Sequence, residues 1–240
     1  MNYGYAILPN ESNDLAVERE VPEFLPLQLY ARVASAAANV DGTLADRDVI
    51  EIGSGRGGGA VHIAQRFGPR RMVALDFSSA ATALARELHA NAGAVVEFMQ
   101  GDAEDLPFAA ASFDVVLNVE SAHCYGSLTR FLENVHRVLR RDGILAFADF
   151  VSRRNGARDR LLATLAEAPL QQLQVEDITA NVVAALAQDE TRKRALLDGR
   201  VKGWFKSFAQ GAYAMEGSAM RREFVSGQTA YLLATLRKAG

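Results

Sequence analysis

Residues Val49 to Ala60 read "VIEIGSGRGGGA", and this stretch decides the fold. A short strand-like run meets five glycines within seven positions. Glycine tolerates left-handed backbone and lets a ligand approach the main chain closely. The continuation "GGAVHIAQRF" puts Val61, Ala64 and Phe67 on one helical face and stops at "GP". The spacing predicts strand, tight turn and helix, with a ligand on the turn.

The rhythm repeats outward from there. "RMVALDFS", "VVEFMQGD", "SFDVVLNVES" and "ILAFADFV" read as further strands. "SAATALARELHANAG" and "LTRFLENVHRVLRRDG" read as helices, the second with basic residues in its last turns and Gly143 after it. Alternating strand and helix over residues 46–151 predicts an α/β fold with a parallel, doubly wound sheet. Upstream, "PLQLYARVASAAANV" has helical spacing. Downstream, residues 153–200 read as helices, too long for a plain crossover. They are expected to form an insertion over the ligand edge of the sheet. "TAYLLATLRK" reads as a closing strand.

The expected organisation is therefore one domain in four stretches. Residues 1–45 form a helical segment over the ligand, and 46–152 the core. Residues 153–203 form a helical cap, and 204–240 complete the sheet. The chain has 240 residues with 49% hydrophobic and 23% charged, enough for one sizeable core. A net charge of -3 gives no global pull toward nucleic acid or anionic membrane. The basic runs "RRDG", "SRRNGARDR" and "DETRKR" are interleaved with acids and read as solvated faces. One cysteine, Cys124, excludes an intrachain disulfide. No signal peptide or membrane-length apolar run is legible. These features predict a cytoplasmic protein, a monomer or homodimer, acting on a small molecule.

Gly53, Gly55 and Gly58 satisfy G-x-G-x-x-G, which suits a dinucleotide pyrophosphate. S-adenosylmethionine is the second candidate. It has no phosphate, and it needs bare backbone plus carboxylates for its cationic and hydroxyl groups. Glu51, two residues before Gly53, would be awkward beside a pyrophosphate and suits a positive ligand. Asp76 could accept ribose hydroxyls of either ligand. "GDAEDLPF" separates the two. Asp102 past the third strand can accept from an adenine amine, and the Ala103 N–H can donate to the ring. A turn or cap aspartate is the plainer reading of Asp102 alone.

"VIEIGSGRGGGA", "ALDFS", "GDAEDLPF", "SFDVVLNVESAHCY" and "FLENVHRVLRRDGILAFADF" together resemble the successive motifs of class I S-adenosylmethionine-dependent methyltransferases. "NVESAHCY" with "FADF" resembles the small-molecule O-methyltransferases of natural-product biosynthesis, of the phthiotriolone, microcystin and sugar type. The resemblance implies a Rossmann-like seven-stranded sheet with one antiparallel strand near the C-terminus. It implies Gly53, Ser54 and Gly55 at the methionine end, and Asp76 on the ribose with Phe77 beside the adenine. Asp102 and Ala103 would read the adenine edge, with Asn118 and Val119 under the cofactor. Tyr5 would close over the methyl group.

For a hydroxyl acceptor the enzyme must align the oxygen and remove its proton. Histidine, with a pKa near ~6.5, suits that task. His123 follows the fourth strand and Asp149 ends the fifth, so both face one crevice. Asp149 would orient the imidazole and stabilise its protonated form. Similar sugar O-methyltransferases carry both residues at these motif positions. Glu120 is a further candidate for orienting His123 or touching substrate. His62, His89 and His136 read as structural, Cys124 as packing. Strand five supplies only Asp149, so no metal is expected. Trp204, Phe205, Phe208, Tyr213, Met215 and Met220 would line an apolar pocket. The alternatives are a methyltransferase fold that binds the cofactor without transfer, as in some cyclases, and an NAD-dependent dehydrogenase. The latter lacks a Tyr-x-x-x-Lys pair.

Overall fold

A computed structural model describes residues 2–18, 20–21, 23–92, 95–200 and 214–239. The elements begin with α1 (Phe24–Asp41), β1 (Asp48–Ile52), α2 (Gly58–Phe67), β2 (Arg71–Asp76) and α3 (Ser79–Leu88). Next come β3 (Val96–Gln100), β4 (Phe113–Val119), α4 (Leu128–Val138) and β5 (Leu139–Ser152). The chain continues with α5 (Ala157–Glu167), β6 (Gln171–Asp177), α6 (Thr179–Gln188) and α7 (Glu190–Arg200). It closes with α8 (Ala219–Val225) and β7 (Thr229–Arg237).

The seven strands lie in the order β3-β2-β1-β4-β5-β7-β6. The strands β1 to β5 pair in parallel, and β7 runs antiparallel to both β5 and β6. This is the expected doubly wound sheet with its antiparallel strand near the C-terminus. Strand order reverses between β1 and β4. In open α/β sheets, ligands bind outside the carboxyl ends of the strands at such a switch point.

Successive strand residues alternate between two buried faces. Val49, Met72, Val115 and Ile144 join Leu29 and Val33 of α1 and Ile63 of α2. Ile50, Val73, Val116 and Leu145 join Phe131, Leu132 and Val135 of α4 and Leu165 of α5 on the other side. Ahead of α1, an extended segment crosses the ligand edge. The Tyr5 N–H donates to the Leu25 carbonyl oxygen (3.0 Å) and the Ala6 N–H to that of Asn181 in α6 (3.2 Å).

Two expectations are corrected. The stretch 153–200 is not helical throughout, because "QQLQVED" forms β6 at the sheet edge. Its residues are mostly exposed glutamine and acid with only Leu173 and Val175 apolar, a weak strand signal. Pairing with β7 settles its conformation. Residues 153–177 therefore lead into the sheet, while α6 and α7 follow as helices. Second, the α4 helix stops at Val138, and "LRRDG" already belongs to β5. Arg140 is drawn into the strand by Asp114 (2.7 Å) and Asp48 (2.8 Å), which fasten the starts of three strands together.

Candidate active site

The turn after β1 is fixed by backbone bonds. The Gly53 and Ser54 N–H groups both donate to the Leu75 carbonyl oxygen, at 2.8 and 3.0 Å. Gly53 has φ 80°, and a Cβ there would come within 2.3 Å of Ser121. Gly55 differs. It also has positive φ (55°), yet a Cβ would meet nothing within 4 Å. Its bare side opens on space rather than on protein. The Gly55 N–H donates to Asp76 Oδ2 (2.7 Å), and Asp76 Oδ1 accepts from the Ser78 N–H (2.9 Å). Asp76 thus ends β2 directly beside the glycine turn.

A cleft of about 550 Å³ opens there. Gly53, Gly55, Asp76, Phe77, Asp102 and Ala103 line it together. Phe77 is 73% exposed, its ring on the rim of this cleft. Asp102 Oδ1 accepts from the Glu104 N–H (2.8 Å), so one oxygen closes a turn. The other expected positions fall elsewhere. Ser54 borders a neighbouring cavity with Tyr30 and Arg56. Val119 is buried in the core. Asn118 lies below the cleft, its Nδ2 3.1 Å from the Ile52 carbonyl oxygen, 2.8 Å from the Ser121 hydroxyl and 2.7 Å from the Tyr125 hydroxyl. Tyr5 is not brought to the cleft. Its hydroxyl donates to Glu11 (2.7 Å) beside a separate cavity near Arg32.

Glu51 is fully buried under the glycine turn, where neither carboxylate oxygen makes a well-formed hydrogen bond and the Tyr30 hydroxyl and the Ala60 N–H are the neighbouring donors. Burial pushes its carboxyl up to about 7, against the pull of the nearby Tyr30 hydroxyl. A buried acid without a counter-charge is costly. A cationic ligand group on the turn would relieve it, and a pyrophosphate would not.

His123 and Asp149 do not line this cleft; beside its lining residues Glu120 and Cys124, Asp149 holds His123 at two points. Its carboxylate accepts the His123 N–H (Oδ2, 2.9 Å) and lies 2.8 Å from His123 Nδ1. The Phe150 N–H also donates to it (2.8 Å). Asp149 is 2% exposed and the imidazole about one-third exposed. The hydrogen bond to Asp149 raises the His123 pKa above its usual value, with burial opposing. The Phe150 ring lies 4.5 Å from the imidazole. Phe150 in turn meets Tyr3 (5.5 Å), and Tyr3 meets Phe224 (5.3 Å).

Residues 50–147 match the family described as methyltransferase domain. The chain is 34% identical over 227 residues to a phthiotriol/phenolphthiotriol dimycocerosates methyltransferase of Mycobacterium tuberculosis, covering 90% of this chain and 81% of that protein. It is 35% identical over 225 residues to a fatty-acid O-methyltransferase of Mycolicibacterium smegmatis, covering 90% and 77%. Among solved structures it superimposes with a TM-score of 0.70 on geranyl diphosphate C-methyltransferase from Streptomyces coelicolor bound to S-adenosyl-L-homocysteine, at 17% identity over 100% of this chain and 91% of that one. The chain belongs to the class I S-adenosylmethionine-dependent methyltransferases, in the O-methyltransferase group of those first two relatives.

The dehydrogenase alternative falls with that membership, and the buried Glu51 supplies its physical reason. In this methyltransferase Glu120, Ser121 and Tyr125 also line the cleft. Burial pushes the Glu120 carboxyl up to about 7, with neighbouring Asp149 adding to the rise and the Tyr3 N–H opposing it. Ser121 and Tyr125 carry no periodic signal. Their contiguity with His123 in "NVESAHCY" was the one hint available. Tyr3 lies in the opening "MNYGY", whose resemblance to the family's amino-terminal segment was the one hint for it. The remaining histidines sit apart from the pair: His62 is pushed down to about 4 by burial, and His89 Nε2 lies 3.0 Å from the Arg56 carbonyl oxygen. Among the described residues no cluster of three metal-ligating side chains exists. Likewise no described helix is long and apolar enough to cross a membrane.

Proposed function

We propose that this methyltransferase places a methyl group on a hydroxyl of an apolar small molecule of lipid or polyketide type, with His123 as general base and Asp149 as its orienting partner. The observation that carries the reading is the paired contact of Asp149 with the His123 backbone and Nδ1. A carboxylate on Nδ1 fixes the proton there and leaves the Nε2 lone pair for the acceptor O–H. It also stabilises the imidazolium that forms when the proton is taken.

S-adenosylmethionine, when bound, supplies an electrophilic methyl on its sulfonium. The rest is alignment by this chain's own groups. Gly55 and the Gly53 turn would bear the methionine end, and Glu51 would face its positive charge. Asp76 has lone pairs left for ribose hydroxyls. Phe77 offers a ring face to adenine, and Asp102 and Ala103 its edge contacts. Asn118 would support the floor through Ser121 and Tyr125. The aromatic row Tyr3, Phe150 and Phe224 beside His123 favours an apolar acceptor. The relatives' named substrates, dimycocerosate lipids and fatty acids, point the same way. The amino-terminal segment, α6 and α7 would form the cap over the acceptor. Met215 is buried, and Met220 packs on the core. Trp204, Phe205, Phe208 and Tyr213, expected to line the pocket, lie outside the described residues.

The test is an incubation with methyl-labelled S-adenosylmethionine and a panel of long-chain secondary alcohols, phenolic lipids and fatty acids. The expected product carries the label as a methyl ether. Label found on carbon, or as an ester on the fatty acids alone, contradicts the hydroxyl reading.

A further inference from the structure

Glu120 directly follows β4 with left-handed backbone (φ 49°), a conformation that side chains other than glycine adopt only under constraint. The constraint is visible on both sides. Its N–H donates to the Ala148 carbonyl oxygen (2.8 Å), one residue before Asp149. Its Oε1 accepts the Tyr3 N–H (2.8 Å) across 117 positions of sequence. The Tyr3 ring then rests against Phe150, which packs on the His123 imidazole. Elsewhere the amino-terminal segment is held by backbone bonds to α1 and α6, as at Tyr5 and Ala6. Among the described residues, the Tyr3–Glu120 bond ties it to the edge of the sheet that carries the catalytic pair. Strain at such a site persists where surrounding structure over-determines it.

We propose that Glu120 is a positioning residue that latches the amino-terminal segment, at the Tyr3 N–H, against the His123–Asp149 pair. This rests on the reading of that pair as the acceptor's base and its partner. The latch places the Tyr3 ring so that Phe150 and the imidazole keep one arrangement. Releasing it would free residues 3–8 and open the His123–Asp149 pair to water.

Hydrogen exchange of the full chain, followed by mass spectrometry, tests it. In Glu120→Ala, exchange across residues 3–8 is expected to rise about tenfold while α4 stays protected, and turnover to fall about tenfold. Glu120→Gln keeps an oxygen that can accept the Tyr3 N–H, so it should restore protection and most turnover. Wild-type exchange across residues 3–8 in Glu120→Ala overturns the proposal. So does Glu120→Gln losing protection as fully as Glu120→Ala. Should Glu120→Ala also loosen α4, Tyr3→Pro, which has no N–H, takes its place. Unchanged exchange across residues 5–8 in that variant likewise overturns the latch. Exchange is read without an acceptor, so it judges the latch alone. Full turnover in His123→Ala would sink the base reading and leave the exchange result standing.

Discussion

The strand ends that line the cleft and the His123–Asp149 pair beside it are built differently. At the ends of β1, β2 and β3 the carboxylates serve backbone N–H groups of turns: Gly55 and Ser78 donate to Asp76, and Glu104 donates to Asp102. Asp102 and Phe77 are exposed and Asp76 is half-buried. At the ends of β4 and β5 the groups are buried or cross-tied over long sequence distances, as in His123 to Asp149 and Tyr3 to Glu120. The cleft is shaped to receive a ligand whose chemistry arrives with it. The pair must hold a base in one tautomer and one direction, which takes desolvation and several contacts per residue. Glu51 lies buried under the glycine turn without a counter-charge, where a cationic ligand group would complete it.

If the division is real, variants at the two places should fail differently. His123→Ala should lower turnover by roughly 10²–10⁴ and leave S-adenosylhomocysteine affinity unchanged. Unaltered turnover there would break the comparison outright. Asp149→Asn should cost roughly 10–100-fold in turnover, as loss of an orienting partner does. It should also move the acid limb of the pH profile. Asp149 raises the His123 pKa, so wild-type activity should climb with pH through a value above the usual one near ~6.5. Without the carboxylate the imidazole loses its proton more readily, and the limb shifts to lower pH. A shift to higher pH would contradict the pairing.

Effects in the cleft should be smaller and confined to binding. Asp76→Ala removes charge-assisted hydrogen bonds worth about 1.5–3 kcal/mol, so donor affinity should fall by roughly 10–150-fold, with turnover at saturating donor retained. Asp102→Ala should weaken affinity less, by under about tenfold, because Asp102 is exposed to solvent while Asp76 is half-buried. Calorimetry on both variants sharpens the ranking.

The same division governs what could be read in the sequence. Gly53, Gly55, Asp76 and Asp102 each sit at a strand end marked by local pattern, and the doubly wound sheet follows from five strands with three helices between them. Such signals live within a few residues. Asn118 and Val119 were expected at the end of β4 under the cofactor; β4 does end at Val119, and Asn118 bonds the Ser121 and Tyr125 hydroxyls of the cleft lining. β6 was illegible because an exposed edge strand of glutamines lacks an alternating apolar face. Arg140 looked like a helix terminus, and only its ion pairs with Asp48 and Asp114 assign it to β5. Tyr5 was expected over the methyl group; its hydroxyl instead bonds Glu11, while Tyr3 is tied by its N–H to Glu120 and packs on Phe150. That tie spans most of the chain, and no local spacing encodes it.

The most direct test is a calorimetric titration of S-adenosylhomocysteine into the wild type, Asp76→Ala and His123→Ala. The account predicts equal affinity for wild type and His123→Ala, and a loss of at least about tenfold in Asp76→Ala. Comparable losses in both variants would mean that donor and base are not divided between the cleft and the pair beside it, and His123 would forfeit its assigned role.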